Sequence, residues 1–270
     1  MTEYSKSDVE SFAAAANAAA DAAKAITLSY FRSDRLDTAN KAESGFDPVT
    51  RADQEAELAI RSVLQDMRPD DAILGEEHGE TPGTSGLTWV LDPIDGTRGY
   101  MSGTPTWGTL ISVRDVNGPV FGIIDQPYTG ERFVGGPGIS QLQRGTDIRP
   151  LGVKPAASLS DAILFSTFPE VGTPAEGKAF RQVVEKVRLT RYGMDCYAYA
   201  LLAAGQIDLV IEAGLFAYDV QAPIAVITAA GGIVSDWQGN PVHDGGRVVA
   251  AASVELHAAA LEVLSKAPQD

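Results

Sequence analysis

Four separated segments of this chain place carboxylates where regular structure begins or ends, and any fold it adopts has to accommodate them. The clearest is Trp89-Val-Leu-Asp92-Pro-Ile-Asp95-Gly-Thr97. Its apolar start reads as a buried strand that ends in two acids three residues apart, then a glycine and a hydroxyl. Asp-Pro followed by Asp-Gly forces an immediate turn. Two acids and several backbone N–H groups then converge, an arrangement suited to hard cations and to phosphate. Ordinary turn chemistry explains the same dipeptides equally well. The other three segments are Phe46-Asp47-Pro-Val-Thr50-Arg-Ala-Asp53-Gln-Glu55, Ile73-Leu-Gly75-Glu76-Glu77-His78 and, after the apolar run 207–211, Glu212 through Tyr218-Asp219. Solvated acids usually scatter over polar faces. Their repeated placement beside buried runs points to one shared site.

The sequence is 270 residues long, enough for one large core or two closely packed halves. With 21 Lys and Arg against 36 Asp and Glu its formal charge is −15. A chain this acidic lacks the basic footprint that nucleic acid or an anionic membrane requires. The single cysteine, Cys196, excludes an internal disulfide and sits in an apolar helical stretch, where a buried inert thiol is expected. His78, His243 and His257 are scattered and form no ligand or triad spacing. The N-terminus carries Glu3 and Asp8 and has no basic start before an apolar core, so a cytoplasmic location is expected. The longest apolar run, 223–234, is shorter than the ~20 residues that span a bilayer.

Residues 8–31 read as an alanine-rich helix capped by Ser7 or Asp8, and 33–46 as a polar loop containing Lys41, Ser44 and Gly45. A second helix covers 50–67, with Thr50 and Asp53 spaced as a cap and its acidic partner. Strands are expected at 72–75, 88–91, 107–114, 118–125, 131–135 and 140–143, with Asn117-Gly118 as a hairpin turn. Strand and helix then alternate: 163–166, 175–186, 197–204, 207–211, 220–230 and 255–264. That order indicates an α/β second half.

The motifs Asp47-Pro-Val-Thr-Arg-Ala-Asp53, Gly75-Glu76-Glu77, Asp92-Pro-Ile-Asp95-Gly-Thr97 and Tyr218-Asp219 followed by Ala230-Gly-Gly232 resemble the inositol monophosphatase superfamily of magnesium-dependent phosphomonoesterases. Within it, the stretches 96–111 and 195–205 are most similar to the histidinol-phosphate phosphatase branch. The resemblance implies an α+β/α/β fold, layered as an alternating α/β/α/β/α sandwich. Its N-terminal half, 1–150, would carry most metal ligands, and its C-terminal half, 151–270, would complete the metal and substrate site. It also implies two or three Mg2+ per site, held by Glu76, Asp92, Asp95, Asp219 and the Ile94 carbonyl. Asp53, hydrogen-bonded to Thr97, would act with Glu76 on the attacking water. Asp95, Gly96, Thr97, Gly193, Asp195, Glu212 and Asp219 would bind the substrate, a small phosphomonoester, in a homodimer.

Histidinol phosphate is the expected substrate, because Asp195 and Glu212 suit a cationic group. Asp195 is equally readable as a helix N-cap, Asp219 as a cap of the helix after it, and Glu212 as a hydroxyl binder in enzymes acting on inositol phosphates. Gly99 and Tyr218 depart from the inositol-type pattern, where Asn and Trp are usual. The alternatives are an inositol-1-phosphatase, a broad phosphomonoesterase, and a non-catalytic protein of this fold that binds transcription machinery.

Overall fold

The protein is described by a computed structural model covering residues 4–34, 38–40, 48–154 and 158–266. Its N-terminal elements are α1 (Lys6–Tyr30), β1 (Thr38–Asn40), β2 (Pro48–Thr50) and α2 (Arg51–Met67). Then come β3 (Ala72–Gly75), β4 (Gly79–Thr81), β5 (Thr88–Asp95), α3 (Thr97–Met101), β6 (Gly108–Asp115), β7 (Gly118–Gln126), β8 (Glu131–Gly136), β9 (Ile139–Arg144) and β10 (Asp147–Pro150). The remainder is β11 (Ile163–Ser166), α4 (Pro174–Val184), β12 (Leu189–Tyr192), α5 (Cys196–Ala203), β13 (Leu209–Phe216), α6 (Ala217–Ala229), β14 (Ile233–Ser235), β15 (Gly245–Ala251) and α7 (Val254–Leu264).

Two sheets organise the chain. The first has strand order β10-β9-β8-β7-β6-β5-β3-β4, and the second β12-β11-β13-β15-β14. Among the described strands of the first sheet only β3 and β5 run parallel, and in the second β11 lies parallel to both β12 and β13. The period-two alternation of the first sheet separates two cores. Ile111, Val113 and Ile123 point to the face covered by α1 and α2, whereas Leu110 and Ile124 point to α5 and α6. The latter core continues through Val210, Val248 and Ala250 of the second sheet. On its far side Leu209, Ile211 and Val249 pack with Phe180 of α4 and Leu256 of α7. The layers are therefore α/β/α/β/α.

Alanine explains the outer layer. Ala15, Ala16, Ala19, Ala20 and Ala23 of α1 are fully buried, and their small side chains let the helix backbone approach its neighbours closely. The cap of α1 is Ser5, with Asp8 at the third helical position, rather than Ser7 or Asp8 themselves. The expected loop at 33–46 is interrupted by β1, which pairs antiparallel with β2. Residues 41–47, including Lys41, Ser44, Gly45 and Asp47, lie outside the described residues. The strand expected at 207–211 begins at Leu209 and continues to Phe216, through a register shift between Glu212 and Leu215. No helix among the described residues is long and apolar enough to cross a membrane.

Candidate active site

Asp92 and Asp95 lie inside β5, not beyond its end. Side chains three apart on a regular strand face opposite sides. Here Asp92 pairs with Leu110 and Asp95 with Gly108, so β5 holds one extra residue against β6. This bulge turns both carboxylates to the same side. Pro93 sits within it, where its missing N–H costs no ladder bond. The bulge is fastened by Thr109 Oγ1 donating to the Pro93 carbonyl and by Ile94 N donating to Asp92 Oδ1.

Asp219 reaches the same place from the first turn of α6, where its Oδ2 accepts the Phe216 N–H at 2.6 Å. Asp92, Asp95 and Asp219 each bring one carboxylate oxygen within 4.8 Å of the others. Together with Glu76, Ile94, Gly96 and Thr97 they line a cavity of ≈ 230 Å³. Glu76 follows β3, and its N–H donates to the Leu91 carbonyl of β5. Burial pushes the Asp92 carboxyl well above the usual range, and the neighbouring Glu76, Asp95 and Asp219 carboxylates add to it. Asp95 is raised by burial and then by Asp195 and Asp219.

Asp53 is fully buried at the start of α2. Its Oδ2 accepts both the N–H and the hydroxyl of Thr50, closing a capping box. The hydrogen bond expected between Asp53 and Thr97 is absent: the Thr97 hydroxyl donates to the Ile94 carbonyl instead, at 3.2 Å. Asp53 Oδ1 is buried and has no hydrogen-bond partner among the described residues. Burial lifts this carboxyl to about 7, against the lowering effect of the Thr50 hydrogen bonds.

These features fit a divalent cation. A buried orphan oxygen and crowded carboxylates call for a positive charge, and every donor offered is oxygen, the set preferred by Mg2+, Ca2+ or Mn2+. Among the described residues, Arg98 is the only basic side chain lining the cavity.

A second cavity of ≈ 220 Å³ adjoins the first and shares Asp95, Asp195 and Asp219 with it. Asp195 precedes α5 yet makes no side-chain cap bond, so the capping alternative fails. Asp95 takes that role, accepting the Cys196 N–H through Oδ2. Asp195 instead adopts φ 47°, rare for a residue with a side chain, and its carboxyl packs over Gly96. Gly96 itself has φ 86°, and a Cβ there would come within 2.9 Å of Asp195 Cγ. Burial raises the Asp195 carboxyl to about 6, while Arg98 pulls it down.

Glu212, buried in β13, accepts from Thr167 N at 2.8 Å, from the Thr167 hydroxyl, and from Tyr199 OH at 3.2 Å. Burial moves it to about 7. Gly193 lines neither cavity; its N–H donates to the Ser166 and Thr167 carbonyls, and it shapes the turn that delivers Asp195. Cys196 is buried, and its thiol is pushed well up, first by burial and then by Asp95.

A match to the inositol monophosphatase family spans residues 8–269. The chain belongs to that family. As a member it is a metal-dependent phosphatase, the enzyme class that its motifs imply. The protein named bifunctional phosphatase IMPL2, chloroplastic, from Arabidopsis thaliana is 40% identical over 97% of this chain and 78% of its own length. A histidinol-phosphatase from Streptomyces coelicolor is 34% identical over 90% of this chain and 92% of its own. The solved inositol monophosphatase from Zymomonas mobilis superposes with a TM-score of 0.83 at 34% identity, covering 97% of this chain and 100% of that one.

One group in this inositol monophosphatase relative escaped the reading of its sequence. Glu57 is fully buried in α2. It accepts from Arg61 Nε at 2.7 Å, Glu77 N at 2.8 Å and His78 N at 3.1 Å. It thus braces the turn that presents Glu76. Gly75 makes room for it, since a Cβ there would meet Glu57 Oε1. The available signal was Asp53, Glu57 and Arg61 at four-residue spacing, beside the apolar stripe Ala52, Ala56, Ile60 and Leu64.

Proposed function

We propose that this enzyme hydrolyses L-histidinol phosphate to L-histidinol and inorganic phosphate, with Mg2+ as its cation. The observation that carries the reading is Asp195: a half-buried carboxylate in a disfavoured backbone conformation, making no cap bond and facing both cavities. Strain of this kind concentrates at functional positions. A carboxylate beside the phosphoryl cavity recognises a cation on the leaving alcohol, and Glu212 adds a second negative group.

Glu76, Asp92, Asp95, Asp219 and the Ile94 carbonyl would hold the cations. When bound, they supply Lewis-acid charge for the phosphoryl oxygens and the leaving alkoxide. Asp53 accepts the proton of the attacking water through its unpartnered Oδ1, and Thr50 fixes the other oxygen. Glu76 orients that water. The Thr97 hydroxyl holds the Ile94 carbonyl in place, which replaces the direct catalytic pairing with Asp53. The N–H groups of Gly96 and Thr97 bind phosphate oxygens, and glycine at 96 permits the close approach. Asp195 and Glu212 bind the substrate ammonium, and Gly193 sets the turn before them. We place the enzyme in the cytoplasm, without nucleic-acid or membrane partners, in keeping with its charge of −15.

Overall identity does not choose between histidinol phosphate and inositol phosphate, being 34% to a relative of each name. The site chooses. Parallel kcat/KM measurements on histidinol phosphate, inositol 1-phosphate and an adenosine bisphosphate test it. Histidinol phosphate is expected to lead, and a rate on inositol 1-phosphate a hundredfold higher would overturn the assignment. Absence of turnover on every phosphomonoester with magnesium would instead favour a binding role in transcription.

A further inference from the structure

Aromatic side chains, two of them exposed, line the acidic cavity. Phe168, two residues past β11, is 42% exposed, and Phe216, at the end of β13, is 59% exposed. Among the described residues, neither belongs to a buried apolar cluster. Tyr218, the second residue of α6, stacks on Phe216 with ring centres 5.3 Å apart and planes inclined by 25°. All three line the cavity that holds Asp92, Asp95 and Asp219, and Phe168 also lines the neighbouring cavity of Asp195 and Glu212. Large exposed rings around a strongly acidic, hydrated site gain nothing from water. They gain from a flat partner.

The geometry points to the kind of partner. The Arg98 guanidinium lies over the Phe168 ring, 4.9 Å from its centre, so this ring already accepts a planar cation. The carboxylates of Asp195, Glu212 and Glu170 line the neighbouring cavity together with Phe168 and favour positive charge there.

We infer that Phe168 and Phe216, with Tyr218 stacked against the latter, form a subsite for a flat, cation-bearing heteroaromatic ring on the leaving alcohol. They are specificity-determining residues, distinct from the groups that bind the phosphate and the ammonium. The inference rests on the reading of this site as a phosphomonoesterase. Aliphatic polyols lack a face to stack and would gain nothing from these rings.

The test compares histidinol phosphate with 2-aminopropyl phosphate, which keeps phosphate and amine but lacks the ring, and the amine-free 3-(imidazol-4-yl)propyl phosphate with propyl phosphate. Wild-type enzyme should show a KM at least fivefold lower for the ringed member of each pair. Phe168→Ala and Phe216→Ala should each raise KM for the ringed substrates fivefold or more, leave kcat within twofold, and leave the ringless substrates unchanged. Phe168→Tyr should restore the wild-type KM. Because both residues are exposed, the variants should melt with the wild type.

Equal KM values within both wild-type pairs, or a parallel rise for ringed and ringless substrates in the variants, would overturn the inference. A wild-type preference for inositol 1-phosphate would overturn the histidinol assignment alone, since the imidazolylpropyl pair still reports on the subsite.

Discussion

Removing the Glu57 carboxylate should damage stability and catalysis by separable routes. In Glu57→Ala the Arg61 guanidinium stays buried against Thr81 Oγ1 and the Gly79 carbonyl without its counter-charge. Breaking one side of a buried ion pair costs about 3–5 kcal/mol. At about 2–4 °C per kcal/mol for a chain of this size, the melting temperature should fall by about 6–20 °C. The Glu77 and His78 N–H groups lose their acceptor as well, which loosens the turn carrying Glu76. A displacement near 1 Å there should lower kcat by about a hundredfold.

The double variant Glu57→Leu/Arg61→Met separates the two effects. Replacing both charges by apolar groups should return most of the stability, because neither ion is left unpaired. Turnover should stay low, because nothing holds the turn. Thermal melts and steady-state kinetics on the three proteins decide the matter. A single variant melting within 2 °C of wild type would refute the buried-pair argument, and a double variant with full activity would refute the bracing role.

Gly96→Ala should lower kcat/KM by at least about a hundredfold, since φ 86° and the contact with Asp195 Cγ forbid the side chain without movement at the site. The left-handed backbone alone costs about 1–2 kcal/mol, so melting should fall only a few degrees; wild-type activity would contradict the close-approach argument. Asp53→Asn should leave the Thr50 cap largely intact while reducing kcat by about 10²–10⁴-fold, and an unchanged pH–rate profile in that variant would exclude Asp53 as the base.

Glu212 gives a pH prediction. Its folded carboxyl is raised from 4.5 to about 7, so the native state binds the proton more tightly than the unfolded chain. Stability in metal-free buffer should therefore fall as pH rises from 4.5 to 7, by up to about 3 kcal/mol, and Glu212→Gln should flatten that slope. Urea melts across this range check it; an unchanged slope in the variant would assign the effect elsewhere.

The site was legible where its information is local. The Asp92-Pro-Ile-Asp95-Gly run encodes its own bulge and turn, and Asp219 opens a helix directly after an apolar strand. Partners far apart in sequence were not legible. The capping box of Thr50 and Asp53 was readable from its spacing, but nothing in the chain order announces that Thr97 turns to Ile94 and away from Asp53, or that Asp95 caps α5 in place of Asp195. Glu57 was hidden because an acid on a helix ordinarily faces water.

Elements were missed for similar reasons. The strands β4, β12 and β14 are three or four residues long. The strand β15 opens on two glycines, and its buried face is mostly small residues that carry a weak strand signal. The helix α6 shows little amphipathicity because both sheets cover it, as expected for an element apolar all round. Its acidic start remained readable only because Asp219 lies at the exposed end.

The account depends on carboxylates from four elements gathering around shared divalent ions. The most direct measurement is an anomalous difference map from crystals soaked in Mn2+, a stand-in for magnesium with the same oxygen preference. A strong peak coordinated by Asp92, Asp95 and Asp219, with Glu76 at its edge, is the predicted result. A map with no peak in that cavity at saturating Mn2+, or with the metal bound elsewhere in an enzyme that is active in the same solution, would contradict it.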